Sequence, residues 1–220
     1  MHVQVKTAGG CSLVPMQTLQ LSKRRIYLRG EINMESACAI ADQILLLNDE
    51  STSKHIDLFI TSPGGEVKAG LLIYDVIHSS DAPVRMFCLG EAYSMAAVLF
   101  ASGSYGRFML PNSELMLHEP LLGNAVRGNV SSIRTMSEEL LAVSSRINQL
   151  LSQHTGRSIE QIEEACSYDH YFDPEESVTF GLADGVASYG QMKGDGPIWT
   201  LTNPSLPADI STAQTALPQG

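Results

Sequence analysis

A serine, a histidine and an aspartate, far apart along the chain, could together perform acyl transfer. Ser94 lies where an apolar run, Val84-Arg85-Met86-Phe87-Cys88-Leu89, stops at Gly90. Small apolar residues of helical character begin at Ser94 and continue to Gly103. A serine at a strand-to-helix junction can be aimed out of a sheet, beside helix N–H groups that favour the negative charge of an oxyanion. Serine is also a preferred helix cap, and residue preference alone favours capping here. As a nucleophile it needs a base, and the base needs an orienting acid. Of six histidines, His2 is terminal, and His55 and His78 flank elements and read as solvated. His154 falls in the last turn of a long helix, where a cation suits the dipole. His118 ends an apolar strand at Glu119-Pro120, the end of a strand where α/β sheets place their sites. A hydrogen-bonded surface histidine fits that pattern equally well. Asp169 and His170 stand together between two helices; either could serve a site, and Asp169 could equally cap the helix that follows.

Gly64-Gly65 is the other notable pair. Two glycines after a strand let the backbone approach a ligand and aim N–H groups at it, although tight strand-to-helix turns use the same pair. The spacing is not that of a dinucleotide-binding loop. Gly90-Glu91-Ala92-Tyr93-Ser94 is not the G-x-S-x-G elbow either. No metal site is expected, because Cys11, Cys38, Cys88 and Cys166 are dispersed and form no C-x-x-C pair. Cys38 and Cys88 read as small core residues.

The elements that must position these groups alternate. Arg25–Leu28 reads as a strand, Met34–Leu47 as an amphipathic helix, Ile56–Ile60 as a strand, Lys68–His78 as a helix and Val84–Leu89 as a strand. That rhythm implies right-handed βαβ units and a largely parallel sheet. Arg107–Leu110 and Leu115–His118 follow as short strands. A long helix spans about 130–154 and stops at Gly156, and its length is too great for it to lie wholly on a small domain. Ser158-Ile159-Glu160-Gln161 matches a capping box, and Pro174 to Gly181 has proline at the first turn and glycine past the end. Residues 1–23 read as a weakly patterned N-terminal segment, open to processing or flexibility, with Gly9-Gly10 breaking any element. Residues 24–189 form one domain. Residues 190–220, rich in Gly and Pro among polar filler, read as a disordered tail.

Composition narrows the classes. The 220 residues hold 44% hydrophobic and 17% charged side chains, ordinary for a single globular domain. A net charge of −10 argues against nucleic acid. No run approaches the ~18 consecutive apolar residues of a membrane span, and the N-terminus lacks a secretory h-region. The expected location is the cytoplasm.

Several blocks, in order, resemble the proteolytic subunit of the Clp protease (ClpP) from about Leu13 to Val186. They are Leu13-Val14-Pro15-Met16, Ser62-Pro63-Gly64-Gly65, Ala69-Gly70 with Ile73-Tyr74-Asp75, and Gly90 to Met95. Leu110-Pro111-Asn112-Ser113, Met116-Leu117-His118 with Pro120, His154-Thr155-Gly156, and Asp169 with Glu175-Glu176 and Gly181-Leu182 complete the series. The resemblance implies a crotonase-like α/β fold of ββα units, with the long helix as a protruding handle that interlocks two stacked heptameric rings. It implies a serine endopeptidase without cofactor or metal, acting on unfolded proteins and short peptides through Ser94, His118 and Asp169. Gly65 and Met95 would supply the oxyanion hole. Substrate would lie extended between Gly64-Gly65 and Leu121-Leu122-Gly123. The implied partners are copies of the chain or a paralogue, and an AAA+ ATPase unfoldase; no nucleic acid or membrane is implied.

Departures accompany the resemblance. The segment after Met16 is shorter than usual, so the loops that meet the ATPase are expected to be altered or missing. Asp57 and Phe59 stand where tyrosines are common in the pockets that receive the ATPase, and an unpaired carboxylate there would weaken docking. Tyr168 replaces an arginine that helps join rings, and Tyr93 and Glu119 replace the common Ala and Gln. The alternative function is therefore a divergent regulatory or structural ring subunit assembled with a conventional ClpP paralogue. A crotonase-type acyl-CoA enzyme would share the fold but would not account for the three site residues together.

Overall fold

A computed structural model describes residues 1–7, 10–121, 129–189 and 199–202. Its central strands are β3 (Arg25–Arg29), β4 (Ile56–Ser62), β5 (Val84–Tyr93) and β6 (Arg107–Met109), all parallel neighbours in that order. β9 (Gly185–Tyr189) adds parallel to β6, and β10 (Trp199–Thr202) adds antiparallel to β9. The strand β10 therefore lies inside the segment that composition reads as a structureless tail; residues 190–198 and 203–220 lie outside the described residues.

The crossovers explain the parallel order. α2 (Met34–Glu50) starts at a reciprocal box between Asn33 and Ser36 and buries Ala37, Ile40, Ala41, Ile44 and Leu47. α3 (Val67–Ser79) buries Ala69, Gly70, Ile73 and Ile77. α4 (Met95–Ala101) is buried along its whole length, in keeping with a sequence that has no polar face. These helices pack with the strands' Ile26, Leu28, Leu58, Ile60, Met86 and Cys88 in one apolar core. Cys88 is buried, and that burial pushes its thiol up to about 12. Cys38, read as a core residue, is exposed on α2: the helical stripe that faces the core passes through Ala37 instead.

The opposite sheet face carries an aromatic row. Tyr27, Phe59, Phe87 and Phe108 occupy matching register positions on β3 to β6, with successive ring centroids 4.9, 5.0 and 5.6 Å apart. Cross-strand aromatic pairs of this kind reinforce sheet register. At its edge Asp57 is buried but not unpaired, contrary to the cost assigned to it from sequence. Arg85 donates from Nε to its Oδ1 at 2.7 Å and from a second nitrogen to His55 Nε2 at 2.6 Å. His55 is thus part of a packed polar cluster rather than solvated, and burial and the Arg85 charge lower its pKa.

The strand β5 forks. Its first half pairs with β6; beyond Gly90, at φ 93, its second half pairs Glu91, Ala92 and Tyr93 with Glu114, Leu115 and Met116 of β7 (Glu114–Leu117). β8 (His170–Phe172) then pairs antiparallel to β7, so Leu117 faces His170. The fork turns a second small layer toward the end of the sheet where the candidate groups lie.

The helix α5 (Val130–Thr155) has 26 residues and spans about 39 Å at the α-helical rise. Asn129 caps it through Ser132 N–H, and Gly156 ends it in the left-handed conformation. Only Ile147, Asn148 and Leu151 are buried, while Val130, Ile133, Met136 and Leu141 are exposed. Its root is held by Arg107, which pairs with Asp184 and donates to the carbonyls of Ala101, His154 and Gly181. His154 is not the charged dipole partner that its position predicts. Burial, with His78 and Arg107 nearby, lowers its pKa to about 4, and its Nε2 meets the Tyr74 hydroxyl at 3.0 Å. Desolvation outweighs the dipole here.

α6 (Ile159–Cys166) has the expected Ser158–Gln161 box, and α7 (Pro174–Phe180) has proline at its start and Gly181 at φ 94 beyond its end. Asp173, not Asp169, caps α7. The N-terminal segment, expected to lack elements, forms a hairpin of β1 (His2–Thr7) and β2 (Gly10–Pro15) followed by α1 (Met16–Leu21). Alternation of Val3 and Val5 opposite Val14 and Ser12 gives the hairpin one less polar face, too short a signal to separate from noise by pattern.

Candidate active site

Ser94 stands between the end of β5 and the start of α4, at φ 53 and ψ −124, with no capping bond from its side chain. Residue preference pointed to a cap; at this backbone geometry the side chain instead makes no bond to the helix N–H groups. A non-glycine residue held there is strained and persists only where its surroundings over-determine it. Ser94 N–H donates to Met116 O at 2.8 Å, and the Ser94 carbonyl accepts from Ala97 and Val98. The junction is thereby clamped from both sides.

The freed hydroxyl lies 2.8 Å from Nε2 of His118. His118 follows β7 directly, so the pairing of β7 with the far half of β5 is what brings the two together. On its other side, Nδ1 lies 3.6 Å from Asp169 Oδ1, an ion-pair separation longer than a hydrogen bond. His118's side chain is 17% exposed and that of Asp169 65%. Asp169 immediately precedes β8, and β7–β8 pairing sets its distance. The structure thus brings Ser94, His118 and Asp169 together, with a tight inner contact and a loose outer one. His170 instead stacks between Tyr168 and Phe172, with ring centroids 5.1 and 4.1 Å away.

Gly64 and Gly65 close the other side. Gly64, at φ 93, packs so near the elbow that an added Cβ would stand 2.6 Å from Tyr93 O, 2.8 Å from Ser94 Cβ and 3.2 Å from Met95 N. Gly65, at φ 146, would drive a Cβ into the Ile32 carbonyl. Ile32 bonds to Gly64 O and accepts from Glu66 N–H, bracketing Gly65 in a parallel bridge. In such a bridge the middle residue's own N–H points to the opposite edge. Glycine at Gly70 leaves room for the Met95 side chain. Met95 is the first residue of α4, where backbone N–H groups have no partner within the helix.

A small open pocket adjoins the serine, lined by Val67, Met95, Val98, Leu117, Ile147 and Leu151 beside Ser94 and His118. Sequence reasoning named Met95 for its backbone N–H but missed the other lining residues. They come from four elements, and each looks like an ordinary core position by its own periodicity. Of the expected substrate-side residues, Leu121 is exposed, whereas Leu122 and Gly123 lie outside the described residues. Glu119, beside His118, is exposed; burial, with a smaller contribution from the Glu119 charge, pushes the Cys166 thiol up to about 11. Among the described residues no group of His, Cys, Asp and Glu could hold a metal ion, and no helix is long and apolar enough to cross a membrane.

The family model of the Clp protease matches residues 11–190, a span that takes in β3 to β9, the elbow, the long helix and all the site residues above. With that match across most of the chain, and with its parallel sheet, forked β5 and protruding helix, the protein has the ClpP-type α/β fold and belongs to the Clp protease family.

Proposed function

We propose that this chain is a serine endopeptidase subunit of a self-compartmentalised Clp-type protease, cleaving unfolded proteins and short peptides. The observation that carries this reading is the 2.8 Å contact between His118 Nε2 and the hydroxyl of a strained, positive-φ Ser94. In this reading Ser94 Oγ attacks the peptide carbonyl while His118 Nε2 takes its proton. His118 then returns the proton to the leaving amine, and water repeats the cycle on the acyl-enzyme. Asp169 holds the imidazole by its Nδ1–H, and the 3.6 Å gap closes in the substrate complex. The N–H groups of Gly65 and Met95 receive the oxyanion.

The extended substrate pairs by backbone with the Gly64-Gly65 segment on one side and Leu121 to Gly123 on the other. The residue preceding the cut enters the pocket of Val67, Val98, Ile147 and Leu151, whose apolar lining favours a hydrophobic side chain. The exposed apolar residues of α5 serve ring stacking, giving two heptameric rings from copies of the chain or with a paralogue. An AAA+ unfoldase delivers folded substrates in the cytoplasm. Asp57, paired with Arg85, makes the docking edge polar rather than an unpaired charge.

Labelling with a fluorophosphonate, beside Ser94→Ala and with the mass of each measured in solution, tests the assignment. Labelling of the wild-type assembly alone is the expected result. An unlabelled, fully assembled wild-type ring would favour the structural-subunit alternative.

A further inference from the structure

The three strands that deliver the site residues meet on one side chain. Tyr93 is the last residue of β5, directly before Ser94. Its hydroxyl donates to Glu114 Oε1 at 2.6 Å, at the start of the strand that His118 directly follows. Its ring meets Tyr171 edge-on, with centroids 5.7 Å apart and an interplanar angle of 88°. Tyr171 lies two residues beyond Asp169, in the strand that Asp169 immediately precedes. The register explains the convergence. Tyr93 pairs with Met116, Met116 with Tyr171, and Glu91 with Glu114. Tyr93, Glu114 and Tyr171 therefore share the sheet face turned away from the core.

We infer that Tyr93 is a positioning residue of the site, a strut that locks β5, β7 and β8 together and so sets the Ser94–His118–Asp169 spacing. The inference rests on the peptidase reading above. Tyr93 touches none of the reacting atoms; it acts through its neighbours. Strain at Ser94 is sustained only if the residues on both sides are fixed. On the C-terminal side buried α4 does this, and on the N-terminal side Tyr93 does. The two carboxylates facing it are Glu91, on its own strand, and Glu114. The bond to Glu114, then burial and the Glu91 charge, raise the pKa of the phenol, so the donor keeps its proton throughout the working range. The outer contact, His118 to Asp169, is the loose one, and it depends on where β8 sits. The Tyr171 contact limits that movement.

Tyr93→Phe removes the hydroxyl and keeps the ring; Glu114→Ala removes the acceptor; Glu114→Gln keeps an acceptor oxygen. Tyr93→Phe and Glu114→Ala should each lower kcat on a short peptide amide about 3- to 10-fold, the worth of one hydrogen bond. KM should stay within about two-fold, because Tyr93 does not line the pocket. The double variant should be no slower than either single one, and Glu114→Gln should recover most of the loss. Mass in solution and thermal midpoint, measured for each, identify any variant that fails to assemble. Multiplying effects in the double variant, or full kcat in Tyr93→Phe, would overturn the strut while leaving the peptidase reading intact. A wild-type protein inert to fluorophosphonate would overturn both.

Discussion

Gly64 and Ser94 are packed so closely that a Cβ on Gly64 would lie 2.8 Å from the Cβ of Ser94. The turn that ends β4 and the elbow that ends β5 are therefore built against each other, and neither can move without the other. The oxyanion N–H groups proposed above, Gly65 and Met95, flank this contact on its two sides. The contact gives the site a fixed frame independent of any bound substrate.

Gly64→Ala should accordingly be far more damaging than a surface glycine substitution. It adds a methyl group against backbone and forces an L-residue to φ 93. The conformational cost alone is about 1–2 kcal/mol, and displacement of the elbow should reduce peptide hydrolysis by at least about a hundred-fold. Urea denaturation and peptide kinetics on the same assembled sample check both parts. Unchanged kcat/KM would show that the elbow relaxes freely.

Ser94→Gly should gain stability as it loses activity. Glycine accepts φ 53 without penalty, whereas serine there is strained, and such sites cost on the order of 1–3 kcal/mol. The greater freedom of glycine in the unfolded chain offsets about 0.5–1 kcal/mol of this. The expected outcome is a raised denaturation midpoint with no fluorophosphonate labelling. A lower midpoint than that of Ser94→Ala would mean that the elbow is not strained.

At the edge of the aromatic row, Asp57 and Arg85 are both largely buried, with side-chain exposures of 10% and 12%. Arg85→Met leaves the carboxylate with His55 as its remaining ion-pair partner and should cost about 3 kcal/mol. The double change Asp57→Leu with Arg85→Met should recover most of that loss, since apolar replacement of a buried pair is often neutral. Chemical denaturation of the three proteins checks the cycle. A double variant as unstable as the single one would show that the Asp57 charge is not the source of the cost.

His154 gives a pH dependence of known sign. Its folded pKa of about 4 lies below the unfolded value of 6.5. Between those values the unfolded chain binds a proton that the folded one does not, so stability rises with pH. The contribution is complete above pH 6.5 and is lost progressively as pH falls toward 4. His154→Gln should flatten the stability profile in that window and leave it unchanged above it. The side chain is only partly buried, so solvent screening moderates the slope. Parallel profiles for the two proteins would place the acid sensitivity elsewhere.

Much of the fold was legible in local pattern. Apolar spacing marked Ala37, Ile40 and Ile44 as a core stripe. Ser158 with Gln161, and Pro174 with Gly181, announced helix ends that the structure has. These signals act within a few residues and survive in any context. Residue types and family-like blocks also singled out Ser94, His118, Asp169 and the Gly64-Gly65 turn. What they could not supply was anything that depends on strands meeting. β1 and β2 carry mixed, mostly exposed residues with little alternation, and β8 has only three residues; these strands exist because a partner pairs with them. His154 loses its charge, and Asp57 gains Arg85, through neighbours distant in sequence. Ser94 is an elbow rather than a cap because β5 forks, pairs with β7, and presses its end against Gly64. Local preference sets what each residue can do. Backbone pairing and desolvation, which require the whole sheet, decide what it does.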